Sequence, residues 1–327
     1  MNKRILAFSL SAMLLSSVAL AACSSNDGPS GSTSTEKPDN GENNNSEPDN
    51  ISPDSSGNNG GSDTGNSGSG NTGSDSGGSG SGSGSSSTSW QLVFEDNFGD
   101  TSDTSATEPN SEYWTLAPKG KDTWNRYMSE SSDQAYQKGG YLYLIGELQN
   151  GEYLTGGIET RNKFDFTYGQ VKCRARFLRH PQGNHTGIWM MPQTQPEAWP
   201  RYGEIDIMEH LNSENLIYST VHYWDSESGE DGSSDKTASI NIEEFNVYGV
   251  IWTEESVTFT LNGSPIFTYT NDNPDSTDFS YQYPFTRPFY LILSQSLGGA
   301  GTWEGAIDNS QLPAIFQIDW IKVWQKK

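Results

Sequence analysis

From Trp90 onward, apolar and polar positions alternate in short runs, the period of two that a half-buried strand imposes. Leu142-Tyr143-Leu144-Ile145 follows the turn signal Gly139-Gly140. Val257-Thr258-Phe259-Thr260-Leu261 reaches Pro265-Ile266-Phe267-Thr268-Tyr269 through Asn262-Gly263, a strong hairpin signal. Val171, Cys173, Ala175 and Phe177 fall on one face of a strand, with Lys172, Arg174 and Arg176 on the other. Cys173 therefore reads as a buried small hydrophobe. Ile315 to Trp324 alternates again, which points Trp320 and Trp324 toward the core, as it does Trp252 in an earlier run. Helical periodicity is nearly absent, and Asn241–Phe245 suffices for one short turn. No internal repeat is present. Many short strands with turn punctuation, in one unit of 238 residues, predict an all-β fold of two packed sheets.

Upstream the alternation stops. Residues 24–89 hold one apolar residue, Ile51, and fifteen of the chain's 35 glycines. So little apolar surface cannot offset the entropy of folding, so this segment is expected to be a disordered tether. Its coil dimension is on the order of 45 Å. Before it, Lys3 and Arg4 precede an apolar stretch from Ile5 to Ala22, the pattern of a secretory signal. Leu20-Ala21-Ala22-Cys23 resembles the bacterial lipobox, which implies cleavage before Cys23 and its lipidation. The expected plan is a signal over 1–22, lipidated Cys23 and tether over 23–89, and one folded domain over 90–327. It implies a lipid anchor in the bacterial cell envelope, in the outer membrane and facing the cell surface. With only Cys23 and Cys173 in the chain, no intramolecular disulfide is expected.

Composition sharpens the contrast. Of 38 aromatic residues, 37 lie in 90–327, including all ten Trp, so the domain has ample material for a core. The chain carries a net charge of −23, of which −17 is on the domain. Such a domain repels a phosphate backbone, an anionic lipid surface and a polyanionic glycan, which excludes nucleic-acid binding and favours a neutral or weakly charged partner. A monomer is expected.

The densest chemistry lies in Glu204-Ile205-Asp206-Ile207-Met208-Glu209. On a strand Glu204 and Asp206 share a face while Ile205 points into the core. Glu209 is five residues from Glu204 and falls on the wrong face unless a β-bulge near Ile207-Met208 inserts one extra residue. With the bulge, three carboxylates form one row. Like charges at that density cost stability on an ordinary sheet face, and they shift one another's pKa values. Retaining glycoside hydrolysis uses such a pair, one carboxylate as nucleophile and one carboxylic acid as proton donor.

This stretch resembles glycoside hydrolase family 16, in the bulged form of its laminarinase-like members. Phe94–Phe98, Thr155–Ile158, Tyr168–Arg176, Gly187–Pro192, Thr220–His222, Tyr248–Thr253, Pro288–Leu293 and Ile318–Trp324 follow in family order and cover essentially all of 90–327. The resemblance implies a concanavalin-like β-jelly-roll sandwich with a concave substrate cleft. It implies Glu204 as nucleophile, Glu209 as general acid/base and Asp206 as their helper; spacing alone leaves the two Glu interchangeable. It makes Trp189 and Trp199 cleft residues, Asn125 and Arg126 sugar ligands, and His222 a neighbour of the catalytic acid. Gln295 and Trp303 are further cleft candidates, and Asp319 resembles a ligand of a structural calcium. The chemistry needs no cofactor. The expected partner is a polysaccharide or oligosaccharide, first β-1,3- or mixed-linkage β-glucan and alternatively a galactose-containing glycan cut by an endo-β-galactosidase. A non-catalytic glycan-binding lipoprotein is the remaining alternative. Asn184-His185-Thr186-Gly187, where relatives often have Trp-Pro-Ala, and Leu293–Ser296 depart from the family pattern beside the cleft.

Overall fold

A computed structural model describes residues 89–225, 228–275 and 282–327. The expected signal, Cys23 and all of the tether but Ser89 lie outside the described residues. Sixteen strands form in chain order. The first eight are β1 (Trp90–Asp96), β2 (Thr115–Leu116), β3 (Ala135–Lys138), β4 (Tyr141–Gln149), β5 (Glu152–Thr155), β6 (Gly157–Glu159), β7 (Gly169–Arg179) and β8 (Asn184–Pro192). The rest are β9 (Glu204–Leu211), β10 (Leu216–Asp225), β11 (Glu230–Ser239), β12 (Asn246–Trp252), β13 (Ser256–Leu261), β14 (Ser264–Thr270), β15 (Phe289–Leu297) and β16 (Ala314–Lys326). No helix occurs among the described residues; Asn241–Phe245 makes only a turn, closed by Glu244 N donating to Asn241 O.

The strands make two antiparallel sheets. One runs β14-β13-β12-β7-β16-β4-β3, with β1 beside β16 and β5 beside β4. The other runs β11-β10-β9-β8-β15-β6-β2. Neighbours such as β7 and β12, or β6 and β15, are far apart in sequence, so the chain crosses repeatedly between sheets, as in a jelly roll. The inward faces of both sheets meet in one apolar cluster that includes Val171, Cys173, Ala175, Ile205, Ile207, Leu291 and Leu293. The predicted hairpins are present. Asn262 and Gly263 take φ of 52° and 84° between β13 and β14, and Gly139 and Gly140 take 62° and 74° between β3 and β4. Two consecutive positive φ values are what a type I′ turn requires, which is why glycine recurs there.

Register departs from simple alternation at several places, two of which bear on the sequence reading. In β16 the partners shift between Ile318 and Trp320, with Ile318 opposite Ala175 and Trp320 opposite Arg174. The extra residue, Asp319, resets the parity, so Ile321 and Val323 face the core. Trp252 is fully buried as expected, but Trp320 and Trp324 turn outward instead, under the ammonium groups of Lys322 and Lys172.

In β9 the shift is the one the acids demand. Ile188 opposes Met208 but Trp189 opposes Asp206, and on the other side Tyr218 opposes Glu209 while Thr220 opposes Asp206. Ser219, which lies in that gap, donates its hydroxyl to the Ile207 carbonyl at 2.9 Å. Ser219→Ala is expected to leave this buried carbonyl short of a donor and to cost about 1 kcal/mol, read as a lower urea midpoint at unchanged slope.

Candidate active site

β9 forms the floor of the site. The bulge puts Glu204, Asp206 and Glu209 on the outward face, and all three line one cavity of about 460 Å³. Asp206 is 2% exposed, and its two neighbours are half-buried. On β10, His222 lies opposite Glu204, Thr220 opposite Asp206 and Tyr218 opposite Glu209. On β8, Gly187 lies opposite Glu209. A Cβ there would come within 3.0 Å of the Trp189 ring and 3.1 Å of Ser294 Oγ, so glycine keeps the approach to Glu209 open.

The carboxylates are held by different partners. Trp199 Nε1 donates to Glu204 Oε2 at 2.5 Å. Glu204 and Asp206 hydrogen-bond one another, which requires a proton between them. Burial pushes Glu204 up to about 7; the Trp199 bond pulls it down, and the charge of Glu209 adds to the rise. Asp206 stands well above the usual carboxylate range, first through burial and then through the charges of Glu204 and Glu209. Glu209 Oε1 lies 3.1 Å from His185 Nε2, and its Oε2 accepts from Thr220 Oγ1 at 3.3 Å. His185 Nδ1 lies 3.0 Å from Glu304 Oε1.

Loops make the walls. Trp199 stands on the β8–β9 loop at 45% exposure, and Trp303 on the β15–β16 loop at 54%. Flat aromatic faces left open to solvent beside a polar floor suit the apolar faces of sugar rings. Trp189 lines the cavity edge-on to Trp124 and donates Nε1 to Ser294 Oγ at 3.1 Å. The cavity continues past Glu204 into a second space of about 630 Å³ lined by Lys121, Asp122, Met191 and Tyr202. His222 sits with Nε2 3.4 Å from Asp206 Oδ2, and burial lowers its pKa.

Four expected positions fall elsewhere. Gln295 points between the sheets at 1% exposure, accepting from Thr186 Oγ1 and donating to Asn184 Oδ1. It shares parity with Leu293 and Leu297, and only Ser294 and Ser296 of that run face outward. Asn125 is buried against Gly120, and Arg126 Nη2 donates to the Leu297 carbonyl at 3.5 Å; neither lines the cavity. Asp319 pairs with Arg174 and is spent as an anion on that guanidinium. Among the described residues no group of three or more His, Cys, Asp or Glu is arranged to hold a metal ion. Glu304 and Trp124 join the site unannounced, and His185, from the departing segment beside the cleft, joins it as a partner of Glu209. His185 and Gly187 share β-strand parity with Trp189, a signal that reaches His185, whereas Glu304 sits in a loop with none.

A carboxyl that binds its proton more tightly folded than unfolded removes stability as pH rises. For Glu204 that window runs from 4.5 to about 7. Glu204→Gln, a stand-in for the protonated acid, is expected to raise the thermal midpoint above pH 7. The gain is expected to shrink as pH falls from about 7 toward 4.5 and to be absent below it, where wild-type Glu204 is protonated in both states.

The profile of the family described as glycosyl hydrolases family 16 matches residues 122–322. The keratan-sulfate endo-1,4-beta-galactosidase of Sphingobacterium multivorum is 36% identical over 250 residues, 73% of this chain; the match spans only 56% of that longer protein. A solved structure from work on endo-acting O-glycanases with which gut microbiota initiate mucin breakdown superposes with a TM-score of 0.63 at 31% identity, covering 71% of this chain and 98% of that one. The laminarinase of Rhodothermus marinus superposes with a TM-score of 0.63 at 28% identity, covering 73% of this chain and 99% of that one. A two-sheet jelly roll with a bulged acidic strand, matched by this profile over more than half its length, belongs to glycosyl hydrolases family 16.

Proposed function

We propose that this chain is an endo-acting, retaining β-glycosidase in which Glu204 is the nucleophile and Glu209 the general acid/base. The observation that carries the reading is the row of three carboxylates on the bulged strand, opening into a cavity edged by exposed Trp199 and Trp303. Protonated Glu209 gives its proton to the glycosidic oxygen as the bond to the anomeric carbon breaks. Glu204 supplies the electron pair for the new glycosyl-enzyme ester. Glu209, now ionised, takes a proton from water, the water oxygen displaces Glu204, and the β configuration is retained. Asp206, held protonated by its burial and two flanking acids, donates to Glu204 and leaves its attacking oxygen ionised.

We rank galactose-containing glycans above β-glucans as substrate. Support comes from the higher identity to the keratan-sulfate endo-galactosidase and the O-glycanase than to the laminarinase. The cleft face of β8 also carries His185 beside Gly187 where glucanase-like relatives often have Trp-Pro-Ala. The β-glucan reading rests on the similarity to the Rhodothermus marinus laminarinase over almost its full length. A purely glycan-binding role gives no purpose to a desolvated carboxylate row that costs stability. We further propose that Cys23 is lipidated and that the chain is a monomer held at the outer membrane of a bacterial envelope, reaching extracellular glycans through its polar tether.

A panel of poly-N-acetyllactosamine, mucin O-glycans, agarose, β-1,3-glucan and mixed-linkage glucan, with products sized, tests the reading. Shortened galactose-containing chains are expected, with the β-anomer appearing first by proton NMR. Glu204→Ala is expected to reduce turnover to background, and Glu209→Ala to lower it by about 10²–10⁴-fold. Glycan binding without release of reducing ends from any member of the panel overturns the enzymatic assignment. Cys23→Ala is expected to move the protein from the membrane fraction to the soluble one.

A further inference from the structure

His185 alone among the described imidazoles meets a carboxylate at each ring nitrogen. β8 delivers it to the cleft face, and Glu304 approaches from the β15–β16 loop at 2% exposure. That loop is tied down by backbone bonds from Gly298 N to Gly183 O and from Gly299 N to Gly305 O, and by Gln182 Nε2 donating to the Glu304 carbonyl at 3.1 Å. Glu304, His185 and Glu209 thus form a chain that ends on Oε1 of the proposed acid/base and leaves Oε2 beside Thr220. The backbone that carries its far anchor is thus fixed to the scaffold.

We propose that His185, braced by Glu304, is a positioning residue that holds the Glu209 carboxyl by Oε1 during turnover. The inference rests on Glu209 serving as the acid/base. Two ionised carboxylates on one imidazole require both nitrogens to carry a proton. The charged and titratable groups facing His185 are Glu209, with Glu204 and Tyr218 behind it, Glu304 from the loop, and His210 from β9. Burial disfavours the imidazolium, but the hydrogen bonds and charges of Glu209 and Glu304 outweigh it and lift His185 to about 9. Burial likewise opposes ionisation of Glu304, yet His185 and Thr302 hold it down to about 2. Glu304 is therefore an anion across the working range. When Glu209 gives its proton to the leaving oxygen, the new negative charge forms against a cation already in place, which lowers the barrier without reorganisation. His185 keeps its own proton throughout. Above its pKa one of its two bonds is lost. Glu209, half-buried where Glu304 is fully enclosed, is the carboxylate released.

The chain has four histidines, so imidazole nitrogen NMR resolves each in the full-length protein. His185 is expected to titrate near 9 in the wild type and to fall toward the ordinary 6.5 in Glu304→Gln, which keeps the shape of the side chain. In His185→Gln, kcat is expected to fall roughly tenfold, part of the 10²–10⁴ that acid–base catalysis supplies, with KM within about twofold. A His185 that titrates at the ordinary value in the folded wild type overturns the proposal. So does a His185→Gln enzyme with wild-type kcat. The NMR titration needs no substrate, so its failure is separable from failure of the hydrolase reading, which the glycan panel and Glu204→Ala decide.

Discussion

Glu204, Asp206 and Glu209 project from one strand face into a half-closed cavity, where water is too sparse to screen them well. Three anions so placed repel one another, and burial raises the cost of each charge. The surroundings of β9 answer this constraint residue by residue. A proton between Glu204 and Asp206 removes one charge. Trp199 brings an N–H to Glu204, and His185 brings a cation to Glu209. Thr220 adds a hydroxyl. Apart from Asp206, none of these donors is on β9, so the strand's charge is tolerable only because β8, β10 and the β8–β9 loop are assembled around it.

Strands and loops divide the work. The sheet supplies the carboxylates in fixed register, since Glu209 reaches the outward face only through the extra residue in β9. The loops supply the aromatic surface, Trp199 on one side and Trp303 on the other. Each wall residue also touches the floor chemistry. Trp199 bonds Glu204, and Trp303 packs edge-on against His185 and Tyr218. Seven of the ten Trp residues therefore split three ways, with Trp252 in the core, Trp124, Trp189, Trp199 and Trp303 at the cleft, and Trp320 and Trp324 outward beneath lysines.

Features set by local pattern were legible in the chain. The two hairpins follow from Asn-Gly and Gly-Gly, the only kind of residue pair that accepts two positive φ angles cheaply. The bulge in β9 follows from three acids that cannot otherwise share a face. The bulge at Asp319 was not legible, because nothing in Ile318-Asp319-Trp320 is unsatisfied without it; the reset shows only through pairing with β7, more than 140 residues away. Gln295 was misassigned by its chemistry when its parity with Leu293 and Leu297 pointed inward. The Glu304–His185 contact spans 119 residues and depends on a loop path, so no spacing rule reaches it.

The pairings around the two outer acids also bear on an ambiguity that spacing leaves open. Glu204 and Glu209 are the same residue type on the same face, yet their partners differ in kind. Glu204 receives N–H and O–H donors from neutral groups, Trp199 and protonated Asp206. Neutral donors can satisfy a carboxylate oxygen without gripping it as a full ion pair does, which suits a group that must use that oxygen to form a bond. Glu209 meets a cation that is itself anchored by Glu304. Such a partner suits a group that alternates between protonated and ionised forms, because it favours the ionised form just when the leaving oxygen takes the proton. The environment thus separates two chemically identical side chains by the kind of partner each meets, neutral donors at Glu204 and a braced imidazole at Glu209.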